Sequence, residues 1–149
     1  MRVRVKRLSP LLGVTVPEPA YATAGAAGMD LAACLESPLT LGPGERELVP
    51  TGLAIELPSR AFVALVFPRS GLAARRGVTL ANAVGVVDAD YRGEILCPLI
   101  NLGPDPVTIT PGDRIAQVLF VPVATAALEW VEKLSPSVRG DGGFGSTGK

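Results

Sequence analysis

Fourteen prolines and seventeen glycines punctuate a chain of 149 residues, and this interruption limits what the chain can fold into. Proline removes a helix hydrogen bond and clashes with the preceding turn, and glycine weakens helix interiors. Between the breaks lie short runs rich in β-branched residues: "VRVKRL", "ELVPTGLAIEL", "AFVALVF", "GVTLANAVGVV", "EILCPLINL", "VTITPGDRIAQVLFVPV" and "LEWVEKL". None sustains the i, i+3, i+4 apolar spacing of a capped helix over three turns. "VRVKRL" alternates apolar and charged residues, as a half-buried strand does. Many short strands separated by turn signals predict an all-β sandwich or barrel. Pro50 and Pro98, inside strand-like runs, predict edges, bends or bulges there. "GLAARRG" is open to one helical turn or a tight loop.

The bulk composition narrows the function classes. The length fits one domain with a substantial core. Formal net charge is zero, so no global field draws the chain to nucleic acid or to an anionic membrane. No apolar run is long enough to span a bilayer. The basic start "MRVRVKRLSPLLG" lacks the apolar stretch of a signal peptide, so a soluble, cytoplasmic protein is expected. Cys34 and Cys97 lack metal-type spacing and sit beside apolar residues, which predicts buried reduced thiols. There is no histidine, so imidazole bases, His triads and His metal sites are all excluded. Acid-base chemistry must fall to carboxylates, Lys, Tyr, Cys or water, and any metal would be a hard, oxygen-bound cation. The body is expected over residues 1–134. From Ser135 the chain turns polar and glycine-rich, "SPSVRGDGGFGSTGK", which reads as an arm over 135–149.

Polar clusters recur between the predicted strands. "PRSGLA", Pro68 to Ala73, combines a guanidinium, a hydroxyl and a glycine turn, parts that suit phosphate oxygens. Taken alone it is more simply a surface turn. In "ANAVGVVDADYRGEI" an apolar run feeds straight into Asp88, Asp90, Tyr91 and Arg92. A carboxylate at a strand end can be held as a general base, although, taken alone, the segment reads somewhat better as a β-turn, where Asp is common. Asp30 in "AGMDLAA" stands in an apolar setting, where a structural hydrogen bond explains it. Gln117 lies in an apolar strand and needs a partner, either backbone or ligand. Gly143–Lys149 matches the opening of a P-loop, but that motif also needs a preceding strand and a following helix, so the match is read as accidental.

In order along the chain, "AGMDL", "PRSGLA", "GVVDADYRG", "GDRIAQ" and "RGDGGFGSTG" resemble the five motifs of the homotrimeric dUTP diphosphatases, the dUTPases. The resemblance runs from Tyr21 to Gly148. It implies a jelly-roll-like β-barrel of the β-clip kind. It implies hydrolysis of dUTP to dUMP and pyrophosphate, which keeps uracil out of DNA and supplies dUMP for thymidylate synthesis. It further implies Mg²⁺ on the triphosphate and three active sites shared between three identical subunits. A dCTP deaminase is the nearest rival, but such proteins lack the glycine-rich arm. A catalytically silent binding protein on the same scaffold is the rival from another class.

The resemblance also assigns residues. Asp88 matches the carboxylate that activates the attacking water. Asn82 matches the amide that reads uracil, with backbone from Val86, Val87 and Leu96 lining the same pocket. Tyr91 matches the ring beneath the deoxyribose, where a 2′-hydroxyl would clash. Arg69, Ser70 and Gly71 match a phosphate-binding turn supplied by a neighbouring subunit, and Gln117 the contact to the far end of the triphosphate. Asp30 matches a position near the metal's waters or near the phosphate turn. In the arm, Phe144 would stack on uracil, while Arg139, Gly145, Ser146 and Thr147 would hold the phosphates as the arm closes over another subunit's site.

Overall fold

The structure, a computed structural model, describes residues 1–143. Eleven strands and one short helix alternate along it. In chain order the strands are β1 (Arg4–Arg7), β2 (Ala20–Tyr21), β3 (Met29–Ala32), β4 (Leu39–Leu41), β5 (Arg46–Glu56) and β6 (Phe62–Pro68), then β7 (Val78–Leu80), β8 (Gly85–Val87), β9 (Glu94–Asn101), β10 (Val107–Ile109) and β11 (Arg114–Pro122). A four-stranded sheet runs β1-β5-β9-β7, a five-stranded sheet runs β2-β3-β11-β6-β8, and β10 pairs with β4. Every ladder is antiparallel. The inward residues of the sheets, among them Leu31, Val49, Leu53, Leu99, Ile109 and Ile115, are almost fully buried and make one core. The result is the expected all-β, jelly-roll-like barrel. Among the described residues no helix is long and apolar enough to cross a membrane.

"GLAARRG" resolves as α1 (Ser70–Arg76). Arg75 and Arg76 stand in its last turn, where cations suit the carbonyl end, and Gly77 ends it in the left-handed conformation, φ 69°. The N–H groups of Leu72 and Ala73 both reach the Arg69 carbonyl. Ser70 and Gly71 therefore lie ahead of the first intrahelical bonds, where backbone N–H groups face outward.

The two prolines behave differently from one another. β5 and β9 are the inner strands of their sheet, so neither proline marks an edge. Pro50 does sit at a bulge: the β5–β9 register shifts between Pro50 and Ala54. Its carbonyl accepts from Cys34 N–H, away from β9, so its nitrogen faces that outer flank and the ladder loses nothing. The bulge needs Gly52, whose φ is 73° and where a Cβ would stand 2.6 Å from the Cys34 sulfur. Buried Thr51 closes it by donating to the Ile95 carbonyl at 2.6 Å. Pro98 lies in regular pairing opposite Leu48, which corrects the expectation of an edge or bend. Its carbonyl accepts from Ala81 N–H, just past the end of β7, so that flank pairs through the carbonyl and the proline nitrogen forgoes only the reciprocal bond at the ladder's end.

Of two further strand expectations, one is met in part and one is not. β1 forms, but all four of its residues are exposed; Val3 packs against the core while Val5 does not. β1 is an edge strand, and the Val5 face lies over an open seam beside Pro19 and Met29. "LEWVEKL" is not a strand. From Val123 to Leu134 the chain is irregular and exposed, with Trp130 92% accessible. An apolar-rich run pairs only where a neighbouring strand offers its edge, and nothing among the described residues of the single chain does so here.

Candidate active site

The loops at each end of β8 build a pocket of about 190 Å³. Asn82 comes from the turn after β7, where Ala81 N–H is held by the Pro98 carbonyl and Ala83 N–H by that of Leu80. Its amide nitrogen lies over buried Gly85, only 3.2 Å from where a Cβ would stand. Among the described residues β8 pairs only with β6, so its other edge is left unpaired by them, and Gly85, Val86 and Val87 line the pocket. Asp88 follows directly and is exposed. The chain then reverses: Tyr91 N–H donates to the Asp88 carbonyl at 3.2 Å. Arg92 clamps the turn from outside, with Nη1 donating to the carbonyls of Ala89 at 2.8 Å and Tyr91 at 2.9 Å. The Tyr91 hydroxyl donates to the Glu94 carbonyl at 3.0 Å. Leu96 closes the far wall from β9. The six residues assigned to base, sugar and water thus share one pocket. Glu94, Ile95 and Pro98 also line it, and local patterning did not single them out.

A second pocket, about 440 Å³, lies where β3, β11 and the opening of α1 meet. Asp30, Arg69, Ser70, Gly71 and Gln117 all line it. Asp30 and Gln117 are direct cross-strand partners on β3 and β11. Gln117 Nε2 donates to the Pro68 carbonyl at 3.0 Å, so its partner within the chain is backbone. Asp30 bridges two guanidinium groups: Oδ1 lies 2.9 Å from Arg69 Nε and Oδ2 3.0 Å from Arg114 Nη1. Arg69 Nη1 also donates to the Arg114 carbonyl at 3.2 Å. A bulge in β11 between Arg114 and Ala116 accompanies this reach. The role of Arg114 was not read from the sequence, although it stands inside "GDRIAQ".

The two pockets share no lining residue, so one chain brings the assigned residues together as two groups, not one. Arg139 belongs to neither. It sits in an exposed turn, with Nε donating to the Gly142 carbonyl at 2.7 Å. Phe144, Gly145, Ser146 and Thr147 lie outside the described residues.

Other chemistry is narrow. Both cysteines are free and buried. Burial pushes the Cys97 thiol up to about 12, so it stays protonated and is no nucleophile at neutral pH. No group of three or more Cys, Asp or Glu side chains among the described residues is placed to hold a metal. A binding site of this kind has a base-sized recess, a carboxylate at its rim and, elsewhere, an arginine-bearing turn.

Residues 15–148 match the dUTPase family model. The chain belongs to the dUTPase family. Curated relatives are close across the whole length. The deoxyuridine 5′-triphosphate nucleotidohydrolase of Escherichia coli O7:K1 is 47% identical over 148 residues, covering 99% of this chain and 98% of the relative. That of Aeromonas hydrophila is also 47% identical, over 99% of this chain and 97% of its own. Among solved structures, the dUTPase of Staphylococcus bacteriophage 80alpha with dUPNHPP superposes with a TM-score of 0.87 at 26% identity, over 99% of both chains. Four of the five motifs lie at the pockets: "AGMDL", "PRSGLA" and "GDRIAQ" at the second, "GVVDADYRG" at the first.

Proposed function

We propose that this dUTPase-family chain hydrolyses dUTP to dUMP and pyrophosphate at a site completed by other copies of itself. The observation that carries the reading is the pocket joining Asn82, the free edge of β8, Asp88 and Tyr91. The Asn82 amide offers one donor and one acceptor, which match O4 and N3–H of uracil. The Tyr91 ring underlies the deoxyribose and leaves no room for a 2′-hydroxyl. Asp88 takes the proton of the attacking water as the bond to the departing pyrophosphate breaks. Water adds to phosphorus, pyrophosphate leaves with the bond electrons, and one proton ends on solvent through Asp88. Phosphoryl chemistry of this kind is mostly positioning and charge neutralisation.

Arg69, Ser70, Gly71 and Gln117 hold the phosphates, presented to the nucleotide of a neighbouring copy. Mg²⁺ would be held by the triphosphate, where it would neutralise charge, since the described residues supply no cage for it. Of the two roles that the resemblance leaves for Asp30, the geometry favours the phosphate turn, since both carboxylate oxygens already serve arginines. The subunit count proposed is three. The count follows the family resemblance; that copies share the site is supported by the separation of the two pockets and by large apolar side chains left in water by the single chain, Leu128, Trp130 and Leu134. The arm, 135–149, closes over the site of another subunit, with Arg139, Gly145, Ser146 and Thr147 on the phosphates and Phe144 on the base.

The deciding assay follows pyrophosphate release with Mg²⁺ from dUTP, dTTP, dCTP and UTP, with ammonia measured for dCTP. Release from dUTP alone is expected. Ammonia from dCTP would transfer the site to deamination, and silence from all four in a folded protein would leave only a binding scaffold.

A further inference from the structure

Gly93 has no conformational reason to be glycine. Its φ is not in the left-handed region, so no positive φ demands glycine there. Space is what requires it. A Cβ on Gly93 would stand 2.5 Å from Cζ of Tyr91 and 3.0 Å from Cε2, and closer still to the hydroxyl oxygen. Non-bonded carbons settle at about 3.5–4.0 Å, so the ring would have to move by roughly 1 Å. Backbone does not appear among these neighbours. The obstacle is the end of one side chain that is 44% exposed, and such a ring swings away at little cost to the fold.

The ring's present direction rests on a short chain of contacts. Its hydroxyl donates to the Glu94 carbonyl. Glu94 is itself tied to β5, because its Oε1 accepts from Gly52 N–H at 2.7 Å. The backbone around Tyr91 is fixed by the Asp88 carbonyl and the Arg92 clamp. With both ends held, the bare Cα of Gly93 is the surface on which the ring lies.

We propose that Gly93 is a positioning residue for sugar discrimination: it sets the height of the Tyr91 ring against the deoxyribose. This rests on the reading of Tyr91 given under Proposed function. Any side chain at 93 forces the ring off the place it holds against the deoxyribose, so the discrimination that this placement supplies is lost and the dUTP/UTP preference falls.

The test compares wild type, Gly93→Ala, Tyr91→Ala and the double variant, measuring kcat/KM for dUTP and for UTP. Gly93→Ala is expected to lower the dUTP/UTP preference by about 10-fold or more, the scale at which a pocket tells near-isosteres apart. The double variant should match Tyr91→Ala alone, because a glycine acting through the ring has nothing to act on once the ring is gone. Unchanged preference in Gly93→Ala with relaxed preference in Tyr91→Ala overturns the Gly93 inference and leaves the Tyr91 reading standing. Unchanged preference in Tyr91→Ala overturns both. Additive losses in the double variant overturn the inference too, since Gly93 would then act elsewhere. If Gly93→Ala does not fold, the double variant decides: folding regained on removing the ring supports the clash, and a double variant still unfolded refutes it.

Discussion

Asp30 and Arg69 are joined by a 2.9 Å contact from Oδ1 to Nε, with side chains only 17% and 29% exposed. They come from different elements, β3 and the residue that caps α1. Arg114 occupies the second carboxylate oxygen, so the carboxylate is a clamp that aims one arginine of the proposed phosphate turn. A mostly buried pair of this kind is costly to break from one side. Asp30→Asn is therefore expected to raise KM for dUTP, with a stability loss on the order of 1–3 kcal/mol in urea melts. The Mg²⁺ concentration giving half-maximal rate should not move. A large rise in that requirement would restore Asp30 to the metal's waters.

Asp88 is exposed and follows the last residue of β8. Asp88→Asn keeps its shape and removes the base. Turnover should fall by roughly 10²–10⁴-fold, the usual worth of a positioned general base. Affinity for a non-hydrolysable dUTP analogue, read by calorimetry, should stay close to wild type. Near-normal turnover would remove Asp88 from the chemistry.

The separation of the two pockets predicts complementation. Arg69→Ala and Asp88→Asn should each be nearly inactive alone. Co-expressed in equal amounts, they should recover about a quarter of wild-type activity, because in a closed ring that fraction of sites draws both intact residues from different copies. No recovery in purified mixed oligomers would place both residues of each site on one chain.

Removal of residues after Ser135 should leave the melting temperature and the oligomer unchanged while sharply lowering kcat/KM for dUTP. A glycine-rich segment is costly to order, so it suits a cover that settles only when ligand compensates. Full activity of the shortened chain would end the arm's proposed role.

Cys97 predicts a pH effect of definite sign. Its folded-state value, about 12, lies above that of an unfolded thiol. The protonated form is favoured by folding, so its contribution is complete below about 8.5, the unfolded value, and is lost as pH rises towards 12. Relative to Cys97→Ala, wild-type stability should fall by on the order of 1 kcal/mol per pH unit across that window, measured by urea melts. A thiol reagent at neutral pH should label Cys97 only after unfolding.

The residues of the first pocket were legible because most of them are local. Asn82 to Tyr91 span a single loop, strand and turn, so one stretch of sequence carries the edge strand, the carboxylate and the ring. The all-β class was legible for a similar reason, since proline and glycine act on their own neighbours. The five motifs, being patterns of residue type at fixed spacing, were enough to reach the family.

What local pattern does not hold is which strand lies beside which. The Asp30–Arg114 contact joins residues 84 apart in the chain and exists only through the β3–β11 ladder and its bulge. Pro98 read as an edge, bend or bulge and proved to lie in regular pairing on a central strand, because at the end of the β7 ladder that flank is paired through its carbonyl. "LEWVEKL" read as a strand and is irregular, because a strand is a property of a pair. The sequence by itself determined the family, the fold class and the chemistry available. Tertiary structure decided the partners of Asp30, the division into two pockets and the contact of Tyr91 with Gly93, since each depends on register and on space, which a linear pattern does not encode.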